Sequence, residues 1–325
     1  MTRRWIERHR LGFFYALAVA ITILVMAVAF LVPAAGSVLA ELTAYLQREG
    51  HPANLVSIAS FALTEQPFGW LILVFAAAPS LAAVVTAGLL GSGALVRLLG
   101  RLRPWVAPAA RTRALCFYLT LAVASAVVMV AFYAAGSRFG SAEALAGRDA
   151  AIGSAPLVVA GMLAFGHLVD EGGTLEELGW RGFALPVLLE RFGSPLGASL
   201  VLGTVWMAWH LPRELPALLA GAPLGPFLLQ QTVFLLLTLA LSILATWGFL
   251  ETGGSALPGL LIHGGTNVWS KALAGPLYPA WHWPIDPRTV VVLALTLIVL
   301  ATRWRQLTTP IGPPGELARG VGDPA

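Results

Sequence analysis

Apolar runs long enough to cross a lipid bilayer recur along this 325-residue chain from one end to the other. A helix needs about 20 consecutive apolar residues to cross a hydrocarbon layer roughly 30 Å thick. With 58% hydrophobic and only 11% charged residues, a soluble domain of this length could not cover its apolar surface. Within lipid every backbone polar group must find a partner inside its own segment or a closed barrel. The expected class is therefore all-α, a polytopic transmembrane helical bundle. The 34 glycines and 22 prolines fit it, since both are commoner in transmembrane helices than in soluble ones.

The spans fall at about Leu11–Pro33, Phe68–Leu90 and Ala114–Ala135, with a short interfacial helix over Asn54–Leu63. Then follow Pro156–Val169, the amphipathic Leu175–Phe192, Pro195–Leu211, Pro226–Leu250, Ala256–Leu273 and Thr289–Thr302. Nine segments result, but a C-terminus on the same side as the N-terminus requires an even number. About eight spans are expected, with 156–169 or 175–192 not crossing fully. Residues 1–307 read as a single integral membrane domain. Residues 308–325, rich in proline and glycine, read as a disordered cytoplasmic tail.

Of the 20 basic residues, 19 are arginines. They lie at helix ends and in short loops, so they read as orientation signals and not as a nucleic-acid surface. Arg3, Arg4, Arg8 and Arg10 before the first span, and Arg97 to Arg113 between the second and third, put the N-terminus in the cytoplasm. The start shows no convincing cleavage site and reads as an uncleaved first span. The single Cys116 excludes an intrachain disulfide framework.

Against this background the polar groups in the second half stand out. An ionisable residue near the centre of an apolar helix costs roughly 2.5–3.5 kcal/mol by insertion scales, so it normally has a function. Glu176, Glu177, Arg181, His210, His263 and Asn267 are such groups. Thr174 and Glu177 fit a capping box at a helix start, and Arg181 lies one turn on from Glu177. Glu176, about 100° around the helix, is left as the first candidate for chemistry. Glu176 lies 18 residues before Ser194 and His210 lies 16 after it, so antiparallel helices set them at one level. His263 and Asn267, four apart, share one face, and Gly264 and Gly265 let a helix or substrate approach it. His167, Asp170 and Glu171 read as a polar boundary, Trp206 as core or cavity wall. His9, His51 and His282 read as headgroup or solvent contacts. Convergent carboxylates, imidazoles and an amide point to hydrolysis inside the bilayer.

Glu176-Glu177-x-x-x-Arg181, an aromatic four before His210, and His263-x-x-x-Asn267, in this order, resemble the CPBP family of intramembrane proteases. That family includes the CAAX prenyl endopeptidases and the bacteriocin-processing and immunity-linked Abi proteins. The likeness covers roughly residues 157–270, with Trp206 standing where the family has phenylalanine. It implies a catalytic core with its cavity open to the cytosolic side. Glu176 and His210 would activate water; His263 and Asn267 would stabilise the oxyanion. Members are described both as metalloproteases and as metal-independent enzymes. A divalent metal such as zinc would take Glu176, His210 and His263, but the His-Glu-x-x-His helix of zincins is absent; the non-metal form is slightly favoured. The expected partners are a peptide or membrane-protein substrate and the lipid bilayer, in a bacterial inner membrane. The rival functions are a non-catalytic immunity or scaffold protein and a proton-coupled transporter. The transporter is disfavoured because the polar groups lie in one half of the chain.

Overall fold

The structure is a computed structural model that describes residues 2–50, 52–154, 156–273, 277–278 and 281–310. His51 and the tail from residue 311 lie outside them. Among the described residues every regular element is helical. We number the eight long helices, leaving shorter ones to their residue ranges. They are α1 (Arg10–Leu31), α2 (Trp70–Leu90), α3 (Arg111–Phe139), α4 (Glu171–Phe192), α5 (Pro195–Leu219), α6 (Leu224–Glu251), α7 (Leu257–Ala272) and α8 (Pro287–Thr308). Helix α4 is composite: α-helix over Glu171–Glu177, a π-helical stretch over Leu178–Ala184, then α-helix over Leu185–Phe192.

Five of these, α1, α2, α3, α6 and α8, are long and apolar enough to cross a membrane. They belong to an all-α polytopic membrane bundle. Their outward faces carry exposed Leu24, Phe30, Val85, Leu119, Val127 and Leu297, which water would disfavour and lipid accepts. In α1, α3 and α8 only 22% of the most apolar window is buried, against 67% in α6; α6 is central. The more polar α4, α5 and α7 pack among them around a core of Phe14, Trp180, Leu185, Leu202, Trp209 and Phe249. Trp209 Nε1 donates to Thr22 Oγ1 at 2.7 Å, tying α5 to α1 at mid-length. A Cβ on Gly179 would fall 2.5 Å from the Pro79 carbonyl oxygen, and one on Gly173 would fall 2.6 Å from the Gly264 nitrogen. Bare backbone at these two points lets α4 seat directly on α2 and α7.

One open choice closes, and two expectations change. The apolar 156–169 segment is a ten-residue helix, Pro156–Phe165, ended by a 3₁₀ turn at Gly166–Leu168. At 1.5 Å per residue it is about 15 Å long, half the hydrocarbon thickness. The 175–192 segment starts earlier, at Glu171, and is a full-length helix. Not all the loop arginines are solvated markers. Arg101 is buried, donates to the Gly254 carbonyl at 2.9 Å, lies over Phe249 and accepts from Ala256 N through its own carbonyl, so it staples two loops together. Burial holds its guanidinium down at about 10. The interfacial helix is present as Leu55–Thr64, capped by a reciprocal Asn54–Ser57 box.

Candidate functional site

The site begins where α4 begins. Asp170, not Thr174, is the N-cap: its carboxylate accepts from Gly173 N at 2.7 Å, while the Thr174 hydroxyl turns back to the Leu168 carbonyl. Asp at an N-cap accepts an orphan backbone donor and faces the positive end of the helix dipole. Gly172 and Gly173 follow it without interrupting the helix. Glu177 is thus free of the cap and spends its charge elsewhere. Its Oε1 accepts from Arg181 Nη1 at 2.6 Å and faces His263 Nδ1 at 3.0 Å. Arg181 also donates to Ser242 Oγ at 3.2 Å and lies 4.6 Å from the Trp206 ring centroid. A fully buried cation and anion are tolerable only with such partners.

Glu176 faces the other way. Its Oε2 accepts two indole N–H bonds, from Trp206 at 2.7 Å and from Trp180 at 3.2 Å. The π-helical stretch that opens just after Glu177 carries Trp180, and single-turn widenings of this kind often mark functional positions. The other oxygen, Oε1, looks toward Gly172. A Cβ on Gly172 would fall 3.4 Å from Glu176 Oε1 and 3.0 Å from His263 Nε2. The missing side chain of one glycine thus keeps open a space flanked by a carboxylate oxygen and an imidazole nitrogen.

The imidazoles are fixed by what can only accept. Trp206 O accepts from His210 Nδ1 at 3.0 Å, so that nitrogen carries the hydrogen and the neutral ring keeps its lone pair on Nε2. Glu177 likewise takes the Nδ1 hydrogen of His263, leaving Nε2 on the side of Glu176 and Gly172, where it donates when the ring carries a second proton. Asn267 has no freedom to flip. Its Nδ2 donates to Asp170 Oδ2 at 3.0 Å, and its Oδ1 accepts from Arg288 Nη1 at 3.1 Å. A carboxylate cannot donate and a guanidinium cannot accept, so the two ends are assigned by chemistry.

These side chains border one cavity of about 1180 Å³, which Glu171, Gly172, Glu176, Trp206, His210, His263, Asn267 and Arg288 share. Arg181 and Glu177 lie behind it as its support. Glu176, Glu177, Arg181, His210 and His263 are all between 1% and 8% exposed, so these five charges and imidazoles face protein and cavity, not lipid. The six candidates therefore gather at one place, but not as the helical spacing alone implies: the α5 residue touching Glu176 is Trp206, one turn before His210. Trp206, Trp180, Asp170, Arg288 and Gly172 were not read as site residues. A tryptophan in an apolar run looks like core, and a glycine carries no chemical signal.

Among the described residues, no three His, Cys, Asp or Glu side chains stand together as a metal-ligating group. Glu176, His210 and His263 do not form such a group, although Nε2 of both rings and Glu176 Oε1 are left free, and Trp206 O and Glu177 hold the other ring nitrogens as the outer partners of metal-bound imidazoles do.

Of the remaining histidines, His9 stacks on exposed Trp5 and His282 is exposed. His167 lies in the 3₁₀ turn, where its carbonyl packs on Gly264. A Cβ on Gly265 would meet the ring of Trp269, a residue of its own helix.

Residues 155–269 match the family described as type II CAAX prenyl endopeptidase Rce1-like. Over 106 residues the chain is 30% identical to CAAX prenyl protease 2 of Methanococcus maripaludis, an alignment covering 31% of this chain and 37% of that protein. The chain thus spans little more than a third of the length of the relative it matches. All six candidate residues fall within the matched segment.

Proposed function

We propose that this chain, whose residues 155–269 match the Rce1-like family, is an intramembrane endopeptidase of the CPBP family cutting a membrane-associated or peptide substrate. One observation carries the reading. A buried carboxylate is gripped on one oxygen by two indole N–H groups, while its other oxygen and His263 Nε2 flank the space over Gly172.

In the proposed reaction Glu176 Oε1 takes a proton from a water as the water oxygen attacks the scissile carbonyl carbon. His210, with its lone pair on Nε2, helps orient that water. Negative charge passes to the carbonyl oxygen. His263 in its imidazolium form donates to it through Nε2–H, and Asn267 offers its second amide hydrogen. Donors aimed at a developing oxyanion in a dry site supply a few kcal/mol each. Collapse breaks the C–N bond, and the proton held by Glu176 goes to the departing amine nitrogen. Glu177 positions His263, Arg181 neutralises Glu177, and Trp206 and Trp180 hold Glu176. No step draws on a metal.

The protein is read as one integral domain over residues 1–307, in a bacterial plasma membrane with its arginine-rich face inside. The test compares the membrane proteomes of cells carrying wild-type and Glu176→Ala protein. A species that accumulates uncut in the variant and is trimmed by the wild type supports the reading and names the substrate. Identical proteomes under conditions of confirmed expression reject it.

A further inference from the structure

The two ends of the bundle differ sharply in charge. The N-terminal turns, the 97–113 loop, the turn after α4 and the end of α8 lie at one end. Arg3 stands beside Gly91, and Arg10 pairs with Glu190, which holds these segments together there. That end carries twelve arginines against Glu7, Glu190 and Glu251 among the described residues. The other end, with the 38–65 region, the 138–171 region, residues 213–224 and the start of α8, carries five basic and nine acidic residues among the described residues. Basic residues flanking spans stay in the cytoplasm, so the first end is the inner one.

The cavity lies wholly toward the other end. From α1 it is bordered by Ile23 to Phe30, and beyond that by Ala35 and Leu39. From α5 it takes Trp206 to Ala220, and from α8 only Arg288, at the outer start of that helix. No residue of 10–22, 79–90 or 195–205 borders it among the described residues. Helices α1 and α5 meet at the Thr22–Trp209 bond. Outward of it the cavity separates them, where α5 carries Pro212 and Pro216 within the helix. Each proline removes a backbone hydrogen bond and bends the helix. The flanks so formed, Met26, Phe30, Leu215 and Leu219, are apolar, and three of them are exposed.

We infer that the cavity opens on the extracytoplasmic face, so that the chain entering it is a membrane-anchored peptide or protein whose cleavable segment lies in or above the outer leaflet. This reverses the cytosolic mouth that the family resemblance implies, and it rests on the protease reading only for the identity of the occupant. The test is thiol accessibility in full-length protein carrying Cys116→Ala. Leu39→Cys lies at the mouth, Arg103→Cys on the arginine-rich face, and both positions are exposed. A membrane-impermeant maleimide applied to intact cells should label Leu39→Cys, and should label Arg103→Cys only after permeabilisation. Trp283→Cys, exposed and outside the cavity on the same face as Leu39, gives the same answer should Leu39→Cys misfold. Labelling of Arg103→Cys in intact cells, or of the other two only after permeabilisation, overturns the inference. If the labelling is as expected but Glu176→Ala leaves the proteome unchanged, the sidedness stands and the protease reading falls.

Discussion

Adding a single methyl group at Gly172 separates catalysis from stability more cleanly than removing any charged group. In Gly172→Ala the new carbon falls 3.0 Å from His263 Nε2, 3.1 Å from its Cε1 and 3.4 Å from Glu176 Oε1. It occupies the space where, in the proposed reaction, water must meet the scissile carbonyl. Gly172 is the second residue of α4, and alanine is up to about 1 kcal/mol better than glycine in a helix. Crowding the imidazole by a few tenths of an ångström takes back a similar amount, so net stability should change by no more than about 1 kcal/mol. That corresponds to a few degrees in thermal midpoint. Catalysis fares differently. A positioned general base contributes roughly 10²–10⁴ in rate, or about 2.7–5.4 kcal/mol at 1.36 kcal/mol per tenfold. Initial rates on the substrate found by proteomics should fall at least ~10²-fold, with a nearly unchanged melting curve in detergent. Wild-type rates in Gly172→Ala would refute the placement of the scissile carbonyl and its attacking water in the space that Glu176 and His263 flank.

Trp206→Phe keeps an aromatic ring under Arg181 but removes the shorter of the two bonds to Glu176. A hydrogen bond to a charged group is worth about 1.5–3 kcal/mol, so turnover should drop roughly ten- to a hundredfold; an unchanged kcat contradicts the assigned grip. Glu177→Ala leaves buried Arg181 without its ion-pair partner and should cost about 3–5 kcal/mol of stability, visible as poor yield or a much lower melting temperature. Asp170→Ala removes both a helix cap and the anchor of Asn267. It should cost about 1 kcal/mol through the cap and reduce turnover as well, a pairing that a purely structural cap does not produce.

Much of the bundle was legible because lipid imposes a simple requirement. Runs such as 11–33 and 226–250 have the length and apolarity that a spanning helix needs, and nothing shorter satisfies them. The candidate site was legible for the converse reason, since Glu176, His210 and His263 are ionisable groups set in otherwise apolar helices. What stayed hidden depended on partners far along the chain. Trp206 reaches Glu176 across 30 residues, His263 reaches Glu177 across 86 and Asn267 reaches Asp170 across 97. None of these pairings leaves a local signature. The misplaced cap at Thr174 has a local cause: two consecutive glycines suggest a helix boundary, but here they are bare helical surface pressed against a neighbour. Arg101 looked like any other loop arginine because burial in a loop has no periodicity to betray it.

The two points where α4 rests on naked backbone, Gly179 on Pro79 and Gly173 on Gly264, have a mechanical consequence. Contacts with no side chain between them have no rotamers to adjust, and a close-packed interior resists sliding. The segment bearing the glutamates is therefore clamped like a rail, and cannot tilt or advance to receive a guest. In the proposed protease, the opening that admits the substrate falls to the flanking pair, α1 and α5, which meet at the Thr22–Trp209 bond. A covalent strap across that pair above this bond should starve the pocket without disturbing the reactive groups.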